Sequence, residues 1–529
     1  MRVGLLLAAT MVLATAASLE NVPTDSRLYD DFDLLKTSGL IHSMPSTSRP
    51  WTRGECVQLV QEALTTAGVA RLAPAQQAAL SRLKVEFGSE LPAMPARRPT
   101  VRIPIRDLGN AQTGCDLFSR ARATRDTQRL SLGAVINNRP GHDFAFYERF
   151  ELTAWNPPIV ETLIPRDSSG HHIPGKRVLP WRNIATLENE LAYIAFRIPW
   201  LRLELGRDEF VWGPAYTGSV MLDDTAPAVD HIQLCASYRN LKFLTFTSLL
   251  SRWGLKPRFL AAQRLEVSLW NRLTLGGAMM AVSSWDSLHP DQFGGLINPL
   301  IPVYLTTSGS GQHDNLLVGW DAVVYLPQTK VYGQFFMDNW EFNGWKAGPK
   351  AAGMQAGAYW APNLPVEARV EYTRVNAFTY YHRVHWLMYE NYLTTLGHPL
   401  GPDADQFFAT VNVSPNGRLK VTLAGDYTRR GYYNRGGFDR QSYRNPEDST
   451  FLRHHNEFPA RGWDTIPDPD TLIEEVDRTL RFSPGFEIRA LRDLFVSVSV
   501  GLWRSQNYQG VIGRKKTGLD FALEVEYRY

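Results

Sequence analysis

Segments of about ten residues that alternate strictly between apolar and polar side chains recur down most of this chain, and they limit what it can fold into. In the last of them Leu519, Phe521, Leu523, Val525, Tyr527 and Tyr529 alternate with Asp520, Ala522, Glu524, Glu526 and Arg528. Leu419, Val421, Leu423 and Tyr427 alternate with Lys420, Thr422, Asp426 and Thr428 in the same way. So do Val366, Ala368, Val370 and Tyr372 with Glu367, Arg369, Glu371 and Thr373, and Leu201, Leu203 and Leu205 with Arg202 and Glu204. A period of two belongs to a β-strand with two unlike faces. A soluble sandwich alternates too, but its strands typically hold five or six residues. A tilted strand crossing a bilayer needs roughly nine to eleven, and a wet lumen suits a polar face carrying both signs of charge. The pattern therefore predicts a mainly β fold, an antiparallel transmembrane barrel in the outer membrane of a bacterial cell.

About eighteen strands are expected, starting near 115, 128, 143, 184, 200, 230, 241, 259, 272, 313, 329, 350, 364, 404, 418, 476, 492 and 517. Some connections are tight, such as Arg239-Asn240 and Pro415-Asn416-Gly417. Those over 156–182, 208–229, 283–312, 376–403 and 430–474 are long, and are expected to face outward or to fold into the lumen. The alternating strand ending on Tyr527 and Tyr529 resembles the C-terminal signal read by the barrel assembly machinery.

The front of the chain reads differently. Arg2, the apolar run Val3 to Ala14 and the small residues Ala14-Thr15-Ala16 predict a signal peptide over 1–17, and no Cys near that point supplies a lipoprotein anchor. Past it no apolar stretch reaches eighteen residues, which excludes a helical span. A small periplasmic helical domain is expected over 18–92. Ser26 to Ser38 carries Leu28, Phe32, Leu34 and Leu35 at helical spacing, and Pro74 to Leu91 carries Leu80, Leu83 and Phe87. Between them Thr52 to Ala67 opens with Thr52 and Glu55 in the reciprocal capping arrangement. A proline-rich linker follows over 93–114, and the barrel over 115–529. Cys56, Cys115 and Cys235 allow one disulfide at most, and their spacing suits no metal.

Aromatic residues make up 12% of the chain, an excess that interfacial girdles would produce and sugar contacts would also produce. Two loops mix aromatic rings with basic groups, as sugar binding requires: rings for the apolar face of a pyranose, guanidinium or amide groups for hydroxyls and carboxylates. One holds Tyr380, Tyr381, Arg383, Trp386 and Tyr389; the other holds Tyr432, Tyr433 and Arg435. The same residues suit an interfacial belt with basic neighbours, and the sequence leaves both readings open.

The segment Gly206-Arg-Asp-Glu-Phe-Val-Trp-Gly-Pro214, continued by Leu222-Asp-Asp-Thr-Ala-Pro-Ala-Val-Asp-His231, resembles the Wzi-type capsule assembly family. Asn298-Pro-Leu-Ile-Pro302, Asp314-Asn315, Asp338-Asn-Trp-Glu341, Glu371-Tyr-Thr-Arg-Val-Asn376 and Leu396-Gly-His-Pro-Leu-Gly-Pro-Asp-Ala-Asp405 follow in the order that family has. Val22-Pro-Thr-Asp25 and Gly39-Leu-Ile41 fit its entry, so the resemblance covers most of 20–410. It implies an outer-membrane barrel with an N-terminal periplasmic helical domain, a lectin that helps attach or organise capsular or exopolysaccharide. Read as physics, the signature residues Arg207, Asp208, Trp212, Gly213 and Pro214 suggest a tightly folded loop that braces or plugs the barrel rather than a sugar site. The 22–67 region also resembles one S-layer-homology-like unit, whose Thr-Arg-Ala-Glu signature binds cell-wall polymer. Gly54 replaces the Ala and a single unit is present, so helical packing is the better reading, with peptidoglycan contact the lesser one.

No cofactor, metal or enzymatic activity is expected. Ser283, Ser284, Asp286 and His289 lie close in sequence without a nucleophile elbow. Asp403/Asp405 and Asp468/Asp470 offer too few oxygens for Ca²⁺. With a net charge of +3 and no Lys/Arg-rich run, no nucleic-acid partner is expected; the partners are surface polysaccharide and outer-membrane lipid. The alternative reading is a channel for small solutes, with Arg202, Glu204, Glu367, Arg369 and Glu371 setting its selectivity.

Overall fold

The computed structural model describes residues 19–68, 72–88, 90–91, 112–124, 128–139, 143–156, 178–181, 185–198, 200–253, 256–284, 314–338, 351–382, 385–392, 394–431, 476–491, 494–508 and 511–528. The expected leader over 1–17 and most of the expected linker over 93–114 lie outside them. Among the described residues eighteen long antiparallel strands close into a barrel. In chain order they are β1 (Gln112–Thr124), β2 (Gln128–Arg139), β3 (Phe144–Asn156), β4 (Ala185–Ile198), β5 (Leu201–Asp208) and β6 (Val229–Tyr238). There follow β7 (Leu241–Trp253), β8 (Lys256–Leu269), β9 (Leu273–Ser284), β10 (Asp314–Leu326), β11 (Thr329–Met337) and β12 (Ala352–Trp360). The last are β13 (Val366–Val375), β14 (Ala404–Asn416), β15 (Leu419–Arg430), β16 (Asp477–Arg489), β17 (Leu494–Gln506) and β18 (Lys515–Arg528). Pairing of Ala522 with Thr124 through Arg528 with Phe118 joins β18 to β1 and removes the open edge. The alternation marked every start to within a turn; the widest gaps are Gln112 against 115 and Lys256 against 259.

The two faces are inverted relative to a soluble protein. Leu130, Leu132, Ile232 and Leu265 point outward and are about half exposed, while Glu204, Arg264 and Glu371 point inward and are buried. An apolar row of this height is stable only against hydrocarbon, so the barrel is a membrane one. The turns 239–240, 270–272, 327–328 and 417–418 lie at one end, and the long connections all lie at the other. In bacterial barrels the short turns face the periplasm. At that end Trp200, Tyr238, Trp270 and Trp360 project outward, as an interfacial girdle does.

Residues 28–86 supply three helices: α1 (Leu28–Thr37), α2 (Arg53–Ala67) and α3 (Pro74–Glu86). The capping box at α2 is present, with the Glu55 N–H donating to Thr52 Oγ1 and the Thr52 N–H to Glu55 Oε2 at 2.7 Å. Phe32, Leu35, Trp51, Cys56, Val57, Val60, Leu83 and Phe87 form the core of this bundle, and Tyr359 and Ala361 of the barrel join it. It docks at the short-turn end, where Ala78 of α3 meets Gly417 and Lys36 Nζ donates to the Asn271 carbonyl at 3.2 Å. All three cysteines are free.

Candidate functional site

Two long connections, 209–228 between β5 and β6 and 376–403 between β13 and β14, turn back from the long-loop end into the lumen. The first descends far enough to meet the helical bundle. Its Val211–Trp212 pairs antiparallel with Ser48–Arg49, and the Gly213 N–H donates to the Thr47 carbonyl at 2.8 Å. Gly213 sits at φ +130°, and a Cβ there would lie 2.5 Å from the Gln334 amide, so only glycine lets the backbone pass. Trp212 is wholly buried against Phe246, which also stacks on Phe210 at 4.6 Å. The Pro214 carbonyl accepts from Lys330 Nζ.

Glu371 on the barrel wall is the socket for the next turn. Its carboxylate accepts from the backbone N–H groups of Tyr216 and Thr217 at 2.9 and 3.0 Å. It also accepts from the Tyr332 hydroxyl at 2.6 Å, from the Gln355 amide at 2.9 Å and from the Thr217 hydroxyl. Of the remaining signature residues, Arg207 makes a two-point ion pair with Asp230 at 2.9 and 2.7 Å. Asp208 accepts from the Asn21 amide at 2.7 Å. Arg207, Asp208, Trp212, Gly213 and Pro214 thus all have bracing contacts within the protein.

The second connection packs on the first. The Tyr380 hydroxyl donates to the Val220 carbonyl at 2.8 Å, and the Tyr389 hydroxyl to that of Met221 at 2.9 Å. The Asp223 N–H donates to the Leu396 carbonyl, and Arg258 reaches in from β8 to cap the Trp386 carbonyl. Burial, with Asp224 beside it, pushes the Asp223 carboxyl up to about 7. Burial pushes the His398 imidazole down to about 4 against the pull of Glu371. His398 Nδ1 accepts from the Leu400 N–H at 3.0 Å, and its Nε2 lies 3.2 Å from Thr217 Oγ1.

The bundle is held to the wall by buried charge. Asp33 of α1 lies 3.0 Å from Lys330 Nζ and 3.1 Å from Arg369. Arg264 pairs with Asp321 at 2.7 Å and with Glu266 at 2.9 Å, and donates to Thr47 Oγ1 at 2.6 Å. Asn21 accepts from Arg202 and donates to Glu204. A cavity of about 520 Å³ remains between the bundle and the inward faces of β13–β18, bordered by Thr410, Asn412, Ser483, Ser497 and Ser499.

This architecture coincides with a sequence match: the model of the capsule assembly protein Wzi family fits residues 117–517. The chain belongs to the Wzi capsule assembly family. Among solved structures this family member is similar to the Escherichia coli outer-membrane protein Wzi, described as involved in group 1 capsule assembly and as a carbohydrate-binding β-barrel. The two share 15% identity over 96% of this chain and 99% of that one, with a TM-score of 0.58, which is a likeness of fold. OccK5 (OpdH) of Pseudomonas aeruginosa is more distant, at 9% identity over 79% of this chain and 98% of that one, TM-score 0.42. No curated relative matches the sequence.

Of the residues of this Wzi-family barrel expected to grip sugar, Tyr380, Tyr381, Trp386 and Tyr389 lie among the described residues. Tyr380 and Tyr389 are 4% and 0% exposed, so their rings are packing groups of the inward loop, and the expectation that they offer a face to sugar is corrected. Their hydroxyls are spent on carbonyls some 160 residues away, which no local pattern announces. Tyr381 and Trp386 are half-buried. Arg383, Tyr432, Tyr433 and Arg435 lie outside the described residues, as does Tyr529; Tyr527 is half-buried on β18. Of the serine group, Ser283 donates to Asp314 and Ser284 to the Pro257 carbonyl, while Asp286 and His289 lie outside the described residues. The polar groups of the S-layer-like motif are engaged internally. Arg53 pairs with Glu86 and Glu90, Arg49 lies over the Tyr29 ring, and Glu55 pairs with Lys242.

Proposed function

We propose that this chain is a non-enzymatic outer-membrane barrel that binds surface polysaccharide and supports the assembly or attachment of a capsule or exopolysaccharide. The observation that carries this reading is the filling of the lumen from both ends. Helical bundle and inward loops meet in a two-residue ladder at mid-barrel, and wall charges suited to a selectivity filter are tied to them. The packed segments 209–228 and 376–403 stand where a wide pore would otherwise run. Family membership supports the same reading, as does the carbohydrate binding described for the Escherichia coli relative.

Contact with a repeating polymer proceeds through several weak subsites, so that avidity replaces a single tight one. Tyr381, Arg383, Trp386, Tyr432, Tyr433 and Arg435 are the proposed contributors. The helical bundle faces the periplasm, the C-terminal strand with Tyr527 and Tyr529 is read by the barrel assembly machinery, and the outward apolar rows meet lipid. The engaged S-layer-like motif favours packing over peptidoglycan contact.

The test is binding of the purified, detergent-solubilised protein to the producing cell's own surface polysaccharide, beside a Tyr381→Ala/Trp386→Ala variant that spares the buried tyrosines. Binding by the wild type and a loss of tenfold or more in the variant is expected. Absence of binding by the wild type refutes the lectin reading. A stable open conductance in planar bilayers favours a solute channel instead.

A further inference from the structure

At the long-loop end β17 and β18 are joined by residues 507–514, and their pairing sets Trp503 opposite Gly518 and Ser505 opposite Lys516. Leu502, Leu519 and Phe521 on these strands, with Leu480 and Phe482 on β16, are the exposed outward row. The alternation therefore turns Trp503, Lys516 and Asp520, with Arg481 of β16, toward the barrel mouth. Trp503 and Tyr508 lie nearly parallel, ring centroids 6.1 Å apart at 19°. Lys516 Nζ stands 4.4 Å from the Tyr508 centroid and 5.9 Å from that of Trp503, and donates to the Tyr508 hydroxyl at 3.1 Å. The Arg514 guanidinium is 5.5 Å from the Tyr508 ring. Arg481 pairs with Asp520 at 3.3 Å, with side chains 44% and 51% exposed, and the Trp503 indole N–H donates to Asp520 at 3.2 Å.

The hairpin is built to hold this arrangement. The Tyr508 N–H donates to the Arg514 carbonyl at 2.9 Å, and the Gly513 N–H to Asn507 Oδ1 at 2.9 Å. Asn507 in turn donates to the Val476 carbonyl at the foot of β16. Exposed cation–ring pairs contribute little to stability, so folding alone does not call for them. Three cations stand around the two rings against Asp520, and Asp477 beyond them accepts from Ser505, so positive charge is in excess beside the aromatic surface.

We propose that Trp503, Tyr508, Arg481, Arg514 and Lys516 form a subsite for a carboxylated sugar residue, such as a uronate, in an acidic surface polysaccharide. The inference rests on the polysaccharide-binding reading and names the class of polymer. A pyranose lays its C–H face along the aromatic pair, and its carboxylate takes charge-assisted hydrogen bonds from Arg514 and Lys516. The rings and cations are preorganised, which lowers the entropy lost on binding. The inward set of Trp503 and Lys516 directs the subsite toward polymer at the mouth and away from lipid headgroups around the barrel.

The experiment uses the full-length protein in detergent and the producing cell's surface polysaccharide as probe, native and after its carboxylates are reduced to primary alcohols. Purified lipopolysaccharide is a separate arm. Wild type is expected to bind native polymer at least tenfold tighter than reduced polymer. Arg514→Ala/Lys516→Ala should shrink that difference to less than twofold, while Trp503→Ala weakens binding of both polymers and keeps the difference. Heat-modifiable migration verifies that each variant is a folded barrel. Equal binding of native and reduced polymer by the wild type overturns the acidic class. Native binding indifferent to all three substitutions overturns the site, and so does an effect confined to lipopolysaccharide. Wild type that binds neither polymer refutes the underlying polysaccharide reading instead.

Discussion

Replacing Asp33 by Asn tests whether buried charge holds the helical bundle in the barrel. Asp33 is 11% exposed and faces two cations, Lys330 at 3.0 Å and Arg369 at 3.1 Å. Burial opposes its charge, but Lys330 and then Arg369 outweigh it and hold the carboxyl below the usual range. Removing one member of a buried ion pair costs about 3–5 kcal/mol, because the partner is left uncompensated. Here the orphans keep some company: Lys330 retains the Pro214 carbonyl, and Arg369 lies 3.9 Å from the Tyr216 ring and 4.2 Å from the Tyr359 ring. That places the expected cost near the lower bound, about 3 kcal/mol, or roughly a 100-fold rise in the undocked population. The readout is thiol labelling at Ala361→Cys, a position wholly buried where the bundle meets the wall. Cys56, at 0% exposure inside the bundle, reports unfolding of the bundle itself. Labelling at 361 should accelerate about 100-fold with Cys56 unchanged, and Lys330→Met should recover at least half of the loss in the Asp33→Asn background. Acceleration below about threefold, or parallel labelling of Cys56, refutes the reasoning, since the pair would then be dispensable or the bundle would be unfolding in place.

Three further outcomes are expected. Asp223 is raised to about 7 by burial and by Asp224, so in the folded loop it keeps a proton that the unfolded loop releases near the ordinary value of 3.8. Its contribution is whole below pH 4 and is lost as pH rises through 7; proteolysis of 209–228 should quicken between pH 5.5 and 8, and Asp223→Asn should flatten the dependence. Gly213→Ala must place a Cβ 2.5 Å from Gln334 at φ +130°, a strain of about 1–3 kcal/mol, and cleavage in the same loop should rise at least fivefold. Tyr389→Phe loses the hydroxyl bond to the Met221 carbonyl and strands a buried acceptor, at about 1–3 kcal/mol. Hydrogen exchange in 385–392 should accelerate while the barrel strands keep their protection.

The barrel was legible because its information is local. Each strand states its own two faces, and a period of two fixes which side chains share one, so Leu201, Leu203 and Leu205 fall outward and Glu204 inward without knowledge of any neighbour. The capping box at Thr52 and Glu55 was legible for the same reason. The loops were not. Tyr380, Tyr381, Trp386 and Tyr389 look alike in sequence, yet Tyr380 and Tyr389 are buried by carbonyls of Val220 and Met221, and nothing within ten residues encodes that contact. The Trp503 cluster does carry a local signal. An aromatic residue on the inward parity of a strand whose outward parity is already apolar needs a reason beyond the membrane girdle, and Trp503 is such a residue.

The charges on the wall connect these two levels. A wet lumen calls for polar and ionised groups, and many inward positions of this barrel carry them. Where the inward wall is apolar, at Phe246, Leu260, Met280 and Leu317, the 209–228 loop meets it with Trp212, Val220, Met221 and Leu222. Where the wall is charged, a segment that occupies the lumen must bring the complement, because an apolar one would strand a buried charge. Asp33 against Lys330 and Arg369, and Glu55 against Lys242, follow from that requirement, as does Thr47 between Arg264 and Asp321. Glu371 meets it differently, with backbone N–H groups of the 209–228 loop supplying the positive ends of their dipoles. Sequence alone shows only the wall half of each pair, and that half has the composition of an ion-selective channel. The distinction between a filter and a socket lies in the partner, and for Arg202, Glu204, Arg369 and Glu371 the partner is the protein's own chain.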